Sequence, residues 1–154
     1  MFSSARRRPT GRTRHALTAV GAVLGVTVAG AVVTAPPADA ASCGAGNTCF
    51  YWINSNGTST LKYKSPGNVS GILHPGPRGG WVWNNGVRYP GADHITLTTS
   101  INGSRWRICL HYGPANFDLG TGATTAARIG PSEIVTGWTW RGECAAGEDN
   151  WQRY

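Results

Sequence analysis

The chain has 154 residues, a formal charge of +7 and only 14% charged residues, set against 22 Gly and 7 Trp. One domain is expected at this length, and two would be cramped. Five of the 14 basic residues are Arg6, Arg7, Arg8, Arg12 and Arg14, so residues 41–154 keep a net charge of only +3, which weakens a nucleic-acid reading.

The basic start leads into a weakly apolar run over Ala16–Thr34, then Pro36-Pro37 and Ala38-Asp39-Ala40. A charged start, an apolar run and a small-residue exit make a secretory signal over residues 1–40, with cleavage after Ala40. A membrane anchor is the competing reading, but Gly, Ala and Thr dilute the apolar run. The rest, residues 41–154, is therefore expected to be a secreted, extracellular domain with no membrane partner once the signal is cut.

Short runs of β-branched and aromatic residues follow, broken by Gly, Pro or Asn, and no helical period is sustained. Strands are predicted at Cys49–Ile53, Thr60–Lys64, Trp81–Trp83, His94–Thr99, Arg105–Tyr112, Ala126–Ile129 and Glu133–Trp140. Asn56-Gly57, Asn85-Gly86 and Asn102-Gly103 signal tight turns, because a type I′ turn needs positive φ at both central residues. The fold class is all-β, a sandwich or barrel. The chain also repeats itself. Cys49-Phe50-Tyr51-Trp52 returns as Cys109-Leu110-His111-Tyr112, and Gly80-Trp81-Val82-Trp83 as Gly137-Trp138-Thr139-Trp140. This order predicts two related halves, at about 42–100 and 101–154.

All four cysteines lie beyond the signal, an even count that reads as disulfides. The flexible loop between Cys43 and Cys49 closes easily, which favours Cys43–Cys49 and Cys109–Cys144 among three possible pairings. No C-x2-C pair supports a zinc site built on these thiols.

Paired all-β halves, each opening on Cys-aromatic-aromatic and an Asn/Gly turn, resemble βγ-crystallin Greek-key motifs. Ser42-Cys43-Gly44-Ala45-Gly46-Asn47-Thr48-Cys49-Phe50-Tyr51, Val82-Trp83-Asn84-Asn85-Gly86 and Cys109-Leu110-His111-Tyr112-Gly113-Pro114 are similar to segments of a secreted bacterial peptidase inhibitor family. That family is metalloproteinase-inhibitor-like, inhibitor family thirty-six. The resemblance implies a disulfide-linked Greek-key sandwich that binds an extracellular protease. It also brings a weak calcium candidate, Asn54, Asn56 and Ser59, in a segment without a carboxylate.

Catalytic groups are sparse. Beyond the signal the only histidines are His74, His94 and His111, and no nucleophile elbow, metalloprotease helix or phosphate loop occurs. Asp93 and His94 are adjacent, which on a strand sends them to opposite faces and forbids a dyad. Glu133, His94 and Arg107 are the set a small secreted nuclease would use, with nothing in their spacing to require it.

Two surfaces remain as binding candidates. Trp81 with Trp83, and Trp138 with Trp140, each share a strand face; they form either a core packed symmetrically between sheets or an exposed aromatic platform for sugars. His74, Pro75, Pro77 and Arg78 lie in the longest turn-rich segment, the candidate protease-contact loop.

The sequence reading is thus a monomeric peptidase-inhibitor-like protein acting by surface contact with an extracellular protease or other secreted protein, with no enzyme activity, metal or cofactor. A wall- or polysaccharide-binding module is the second reading, and a small hydrolase the third.

Overall fold

Side-chain alternation and tight turns lay residues 43–154, the part described by the computed structural model, out as strands. The export signal expected over residues 1–40 lies outside the described residues. In chain order the strands are β1 (Asn47–Ile53), β2 (Ser59–Ser65), β3 (Val69–Leu73), β4 (Gly80–Asn85), β5 (His94–Ile101), β6 (Ser104–Leu110), β7 (Ala126–Ile129), β8 (Glu133–Arg141) and β9 (Gln152–Arg153). No helix occurs among the described residues.

The strands form two antiparallel sheets, ordered β2-β1-β4-β7 and β3-β8-β5-β6-β9. Taken in chain order, β1–β4 and β5–β8 are matching sets, and each set gives its third strand to the other's sheet. The junction between the sets falls in residues 86–93, ahead of the 100/101 boundary expected from the repeat, which would cut β5 at its end. Trp81 and Trp138 sit on matching strands, β4 and β8. Cys49 and Cys109 do not, since β1 carries one and β6 the other.

Phe50, Val82, Ala127 and Ile129 of the first sheet meet Ile95, Leu97, Ile108, Leu110, Val135 and Trp138 of the second, and all are buried. The first sheet also buries its other face, where Tyr51, Trp81, Trp83 and Ala126 pack with Cys43 and Cys49 under Ala115 and Phe117. Tyr51 and Trp81 stack with centroids 3.9 Å apart. The two Trp pairs therefore do not pack symmetrically between the sheets: Trp138 faces the sandwich, whereas Trp81 and Trp83 face away from it.

Both expected disulfides are present, Cys43–Cys49 and Cys109–Cys144. They fit an oxidising, extracellular setting. Among the described residues no helix is long and apolar enough to cross a membrane.

Of the three Asn-Gly signals, Asn102-Gly103 makes the tightest turn, with φ of 50° and 78°. It sets Ile101 opposite Ser104, and the ladder runs from there to Ile95 opposite Leu110. Asn85-Gly86 closes no hairpin. The Gly86 N–H donates to the Asn84 side chain instead, and the chain runs on through a loop to β5. At the C-terminus, Trp151 packs on the core and β9 pairs with β6.

Candidate functional site

The predicted protease-contact loop is a clamped turn. Gly76 and Gly79 exchange both backbone hydrogen bonds at 2.9 Å, while Ile53 N–H donates to Gly79 O at 3.0 Å and Arg78 N–H to Ile53 O at 3.2 Å. Pro77 and Arg78 are exposed at its tip, His74 is exposed before it, and Pro75 is half-buried. Pro77 fixes φ at the first corner of the turn.

Three of the four residues of the candidate aromatic platform are not on the surface. Trp81, Trp83 and Trp138 are 2%, 7% and 1% exposed, so none of these three offers a face for a sugar to stack on. Their indole N–H groups are spent inside the protein, on Ser59 Oγ, Gly113 O and Gly67 O. Trp140 alone of the four reaches a groove, of about 460 Å³, lined also by Pro66, Asn68, Val87 and Tyr89.

The calcium candidate is a hydrogen-bonded turn. The Asn54 amide donates to Thr58 and Thr60, the Asn56 side-chain oxygen accepts from Thr58 N–H and hydroxyl, and Ser59 Oγ accepts from Trp81. The Asn56 and Ser59 oxygens are thus engaged by donors of the protein itself.

The nuclease set is not assembled. Glu133 accepts from Thr99 Oγ1 and Gly130 N–H at the far end of β5 from His94, about 23 Å away along the strand. Glu148 pairs with Arg141 at 2.9 Å, and Asp149 accepts from Gly122 N–H.

A different cluster does form, and it overturns the reading of Asp93 and His94. β5 begins at His94, and Asp93 precedes it in a bend, so strand alternation does not separate the two. The Asp93 carboxylate lies 2.7 Å from His94 Nδ1 and also accepts from Tyr89 N–H. His94 Nε2 lies 3.0 Å from His111 Nδ1 and 3.3 Å from a Glu143 carboxylate oxygen.

Each member arrives by a separate route. His94 opens β5, and His111 follows β6 directly across the extended hairpin register. On both strands the neighbours Ile95 and Leu110 point into the sandwich core, so the two imidazoles share the outer face. Glu143 is carried by the segment after β8, which Cys144 ties to Cys109. The disulfide thus anchors the acid's neighbour close to the imidazoles; Cys144 Sγ is within 4.8 Å of both.

Asp93 and His94 are buried, at 4% and 2% exposed. His94, His111 and Glu143 border a cleft of about 460 Å³ that Tyr112, Asn116 and Thr125 also line. The Thr125 hydroxyl is committed to Pro114 O and Asn116 N–H, so it is not poised to attack a substrate. What the cluster offers is a line of acid and imidazole groups able to hold and pass a proton from the cleft to a buried carboxylate, or to hold a cation.

Burial raises the Asp93 carboxyl, but the hydrogen bonds from His94 and Tyr89 and the attraction of His94 outweigh it, leaving its pKa below 3.8. His111 is held below 6.5, by burial first and by His94 next, with Asp149 and Glu143 opposing. Both groups bind protons more readily when unfolded, so both contribute stability that is full above the unfolded pKa and lost as pH falls. Denaturant unfolding is therefore expected to show stability dropping as pH goes from 8 through the ordinary histidine range near 6.5, and again below about 4. His111→Gln removes the upper step.

No protein-family model, curated protein or solved structure matches the chain.

Proposed function

We propose that this is a secreted, Greek-key βγ-crystallin-like protein that inhibits an extracellular protease by surface contact. Support for the fold comes from the strand order, in which two matching four-strand sets each lend their third strand to the other's sheet. Support for secretion comes from the N-terminal signal pattern and the two disulfides.

The observation that carries the inhibitory reading is the Pro77–Arg78 tip. It is exposed, yet its flanking backbone is fixed at both sides, so presenting it to an enzyme costs little conformational entropy. A rigid tip resists the adjustments that cleavage requires. Arg78 suits a target whose specificity pocket holds a carboxylate, since a guanidinium pairs with one in a forked geometry.

The test is titration of the protein against a panel of secreted metalloproteinases and serine proteinases. Stoichiometric inhibition of at least one is expected, weakened by at least about tenfold in Arg78→Ala, in line with the loss of a buried charge-assisted contact. No inhibition at micromolar protein across the panel would overturn the reading.

A further inference from the structure

We propose that the groove walled by Trp140 and Tyr89 binds a neutral polysaccharide, with a sugar ring lying against the two aromatic side chains. Trp140, Tyr89, Val87 and Pro66 give the groove apolar sides, and none of the residues lining it is charged. Tyr89 and Val87 are 66% and 54% exposed. The Trp140 indole nitrogen is buried, so what that ring shows to the groove is carbon. Asn68 supplies a polar edge. Its side-chain oxygen accepts the Trp140 backbone N–H at 2.8 Å, which leaves its NH2 group free to donate. A pyranose divides its chemistry in the same way, with C–H groups across its faces and hydroxyls around its rim. An extended peptide suits the groove less, because every residue brings a backbone N–H and C=O that need partners. The polar side chains lining the groove are Asn68 and Tyr89 alone. A charged ligand would find no counter-charge among them.

The walls are already in place. The Tyr89 N–H donates to the buried Asp93 carboxylate at 3.2 Å, and its carbonyl accepts from Ala92 N–H at 3.0 Å, so the exposed ring stands on a fixed backbone. The opposite loop is held through Gly67, whose carbonyl accepts from Trp138 and whose N–H donates to Ser65 Oγ. Trp140 is seated against Gly86, where an added Cβ would come within 3.1 Å of its ring. Walls that need no ordering lower the cost of binding. The volume of about 460 Å³ falls within the range of about 300–1,000 Å³ that small-ligand sites occupy. Gly46 borders the groove, whereas Ile53 clamps the Pro77–Arg78 turn. The two sites therefore lie toward opposite ends of β1, about 23 Å apart along the strand.

The probes are cellotetraose and chitotetraose, which share the ring and differ in the N-acetyl group, titrated into the full chain with both disulfides intact. Saturable binding of at least one is expected at millimolar oligosaccharide, with a change in tryptophan fluorescence. The affinity should be the same in low and high salt, because no charge lines the groove. Tyr89→Ala is expected to weaken binding by at least about tenfold, as truncating an aromatic anchor does. Asn68→Asp keeps an acceptor for the Trp140 N–H and removes the donor, so it should weaken binding as well. Trp140 packs partly on the core and its loss endangers the fold, so the substitutions at the exposed Tyr89 and Asn68 carry the test, each checked for native circular dichroism. Tyr154→Ala, which removes another exposed tyrosine, should bind as the wild type does. No binding of either oligosaccharide, undiminished binding in folded Tyr89→Ala, or tighter binding of an oligoproline peptide would overturn the proposal.

Discussion

Trp138→Ala is expected to lower the unfolding free energy by about 3–5 kcal/mol, the cost of emptying a large aromatic site in a closed core. Three separate contributions are lost together. The indole is 1% exposed between the sheets, where it packs in one cluster with Leu97, Leu110 and Val135. Its N–H reaches Gly67 O at 3.1 Å, a bond that ties β8 to the loop before β3. Tyr63 from β2 meets its ring edge-on at 5.8 Å between centroids. Trp138→Phe keeps most of the apolar volume but leaves Gly67 O without this donor, so its cost should fall between wild type and Ala. Urea unfolding measures both. A loss under about 1 kcal/mol for the Ala variant would mean that the core is not closed around this residue.

Removing the long disulfide is expected to cost about 4 kcal/mol, and removing the short one about 2 kcal/mol, because the loop whose closure the bridge enforces in the unfolded chain is longer. The sequence separations are 35 and 6. Against a typical total of about 5–15 kcal/mol, the first loss brings a domain of this size close to unfolding at physiological temperature. Cys109→Ser/Cys144→Ser has a local consequence as well. Glu143 is held near His94 through its neighbour Cys144, whereas Asp93 is joined to His94 by the chain itself. The doubly substituted protein should keep the Asp93–His94 contact and lose the Glu143–His94 one. Guanidinium unfolding of the two double variants gives the ranking, and equal losses would count against the loop-length account.

Much of the sandwich was legible in the sequence because its strands alternate or carry β-branched runs. β3 was missed for a physical reason: Val69–Leu73 is an edge strand whose middle three residues are exposed, and Ser70-Gly71 breaks the apolar pattern. β9 is two residues long, too short for any period to show. The cysteine half of the apparent repeat aligned β1 with β6, strands that do not correspond, while the Trp half aligned β4 with β8, which do.

The histidine cluster was recoverable in part. Asn102-Gly103 sets 101 opposite 104, and counting back seven places on each strand puts His94 opposite His111. What hid the rest was applying strand alternation to Asp93, although the predicted strand begins only at His94; in the bend before the strand Asp93 makes a 2.7 Å contact with His94. Glu143 was beyond reach although the Cys109–Cys144 bridge was expected, because its place also depends on the path of an irregular segment.

The exchange of third strands between the two sets also governs the order in which the molecule can be completed. β7 closes one edge of the first sheet, and β3 cannot pair until β8 exists, with Val69 meeting Trp138. A chain emerging N-terminus first therefore cannot finish its first sheet while its second half is still missing. Contacts that span so much sequence make folding slow relative to hairpin closure. Each set completes its sheet only with a strand from the other, so neither sheet can be finished from one set alone.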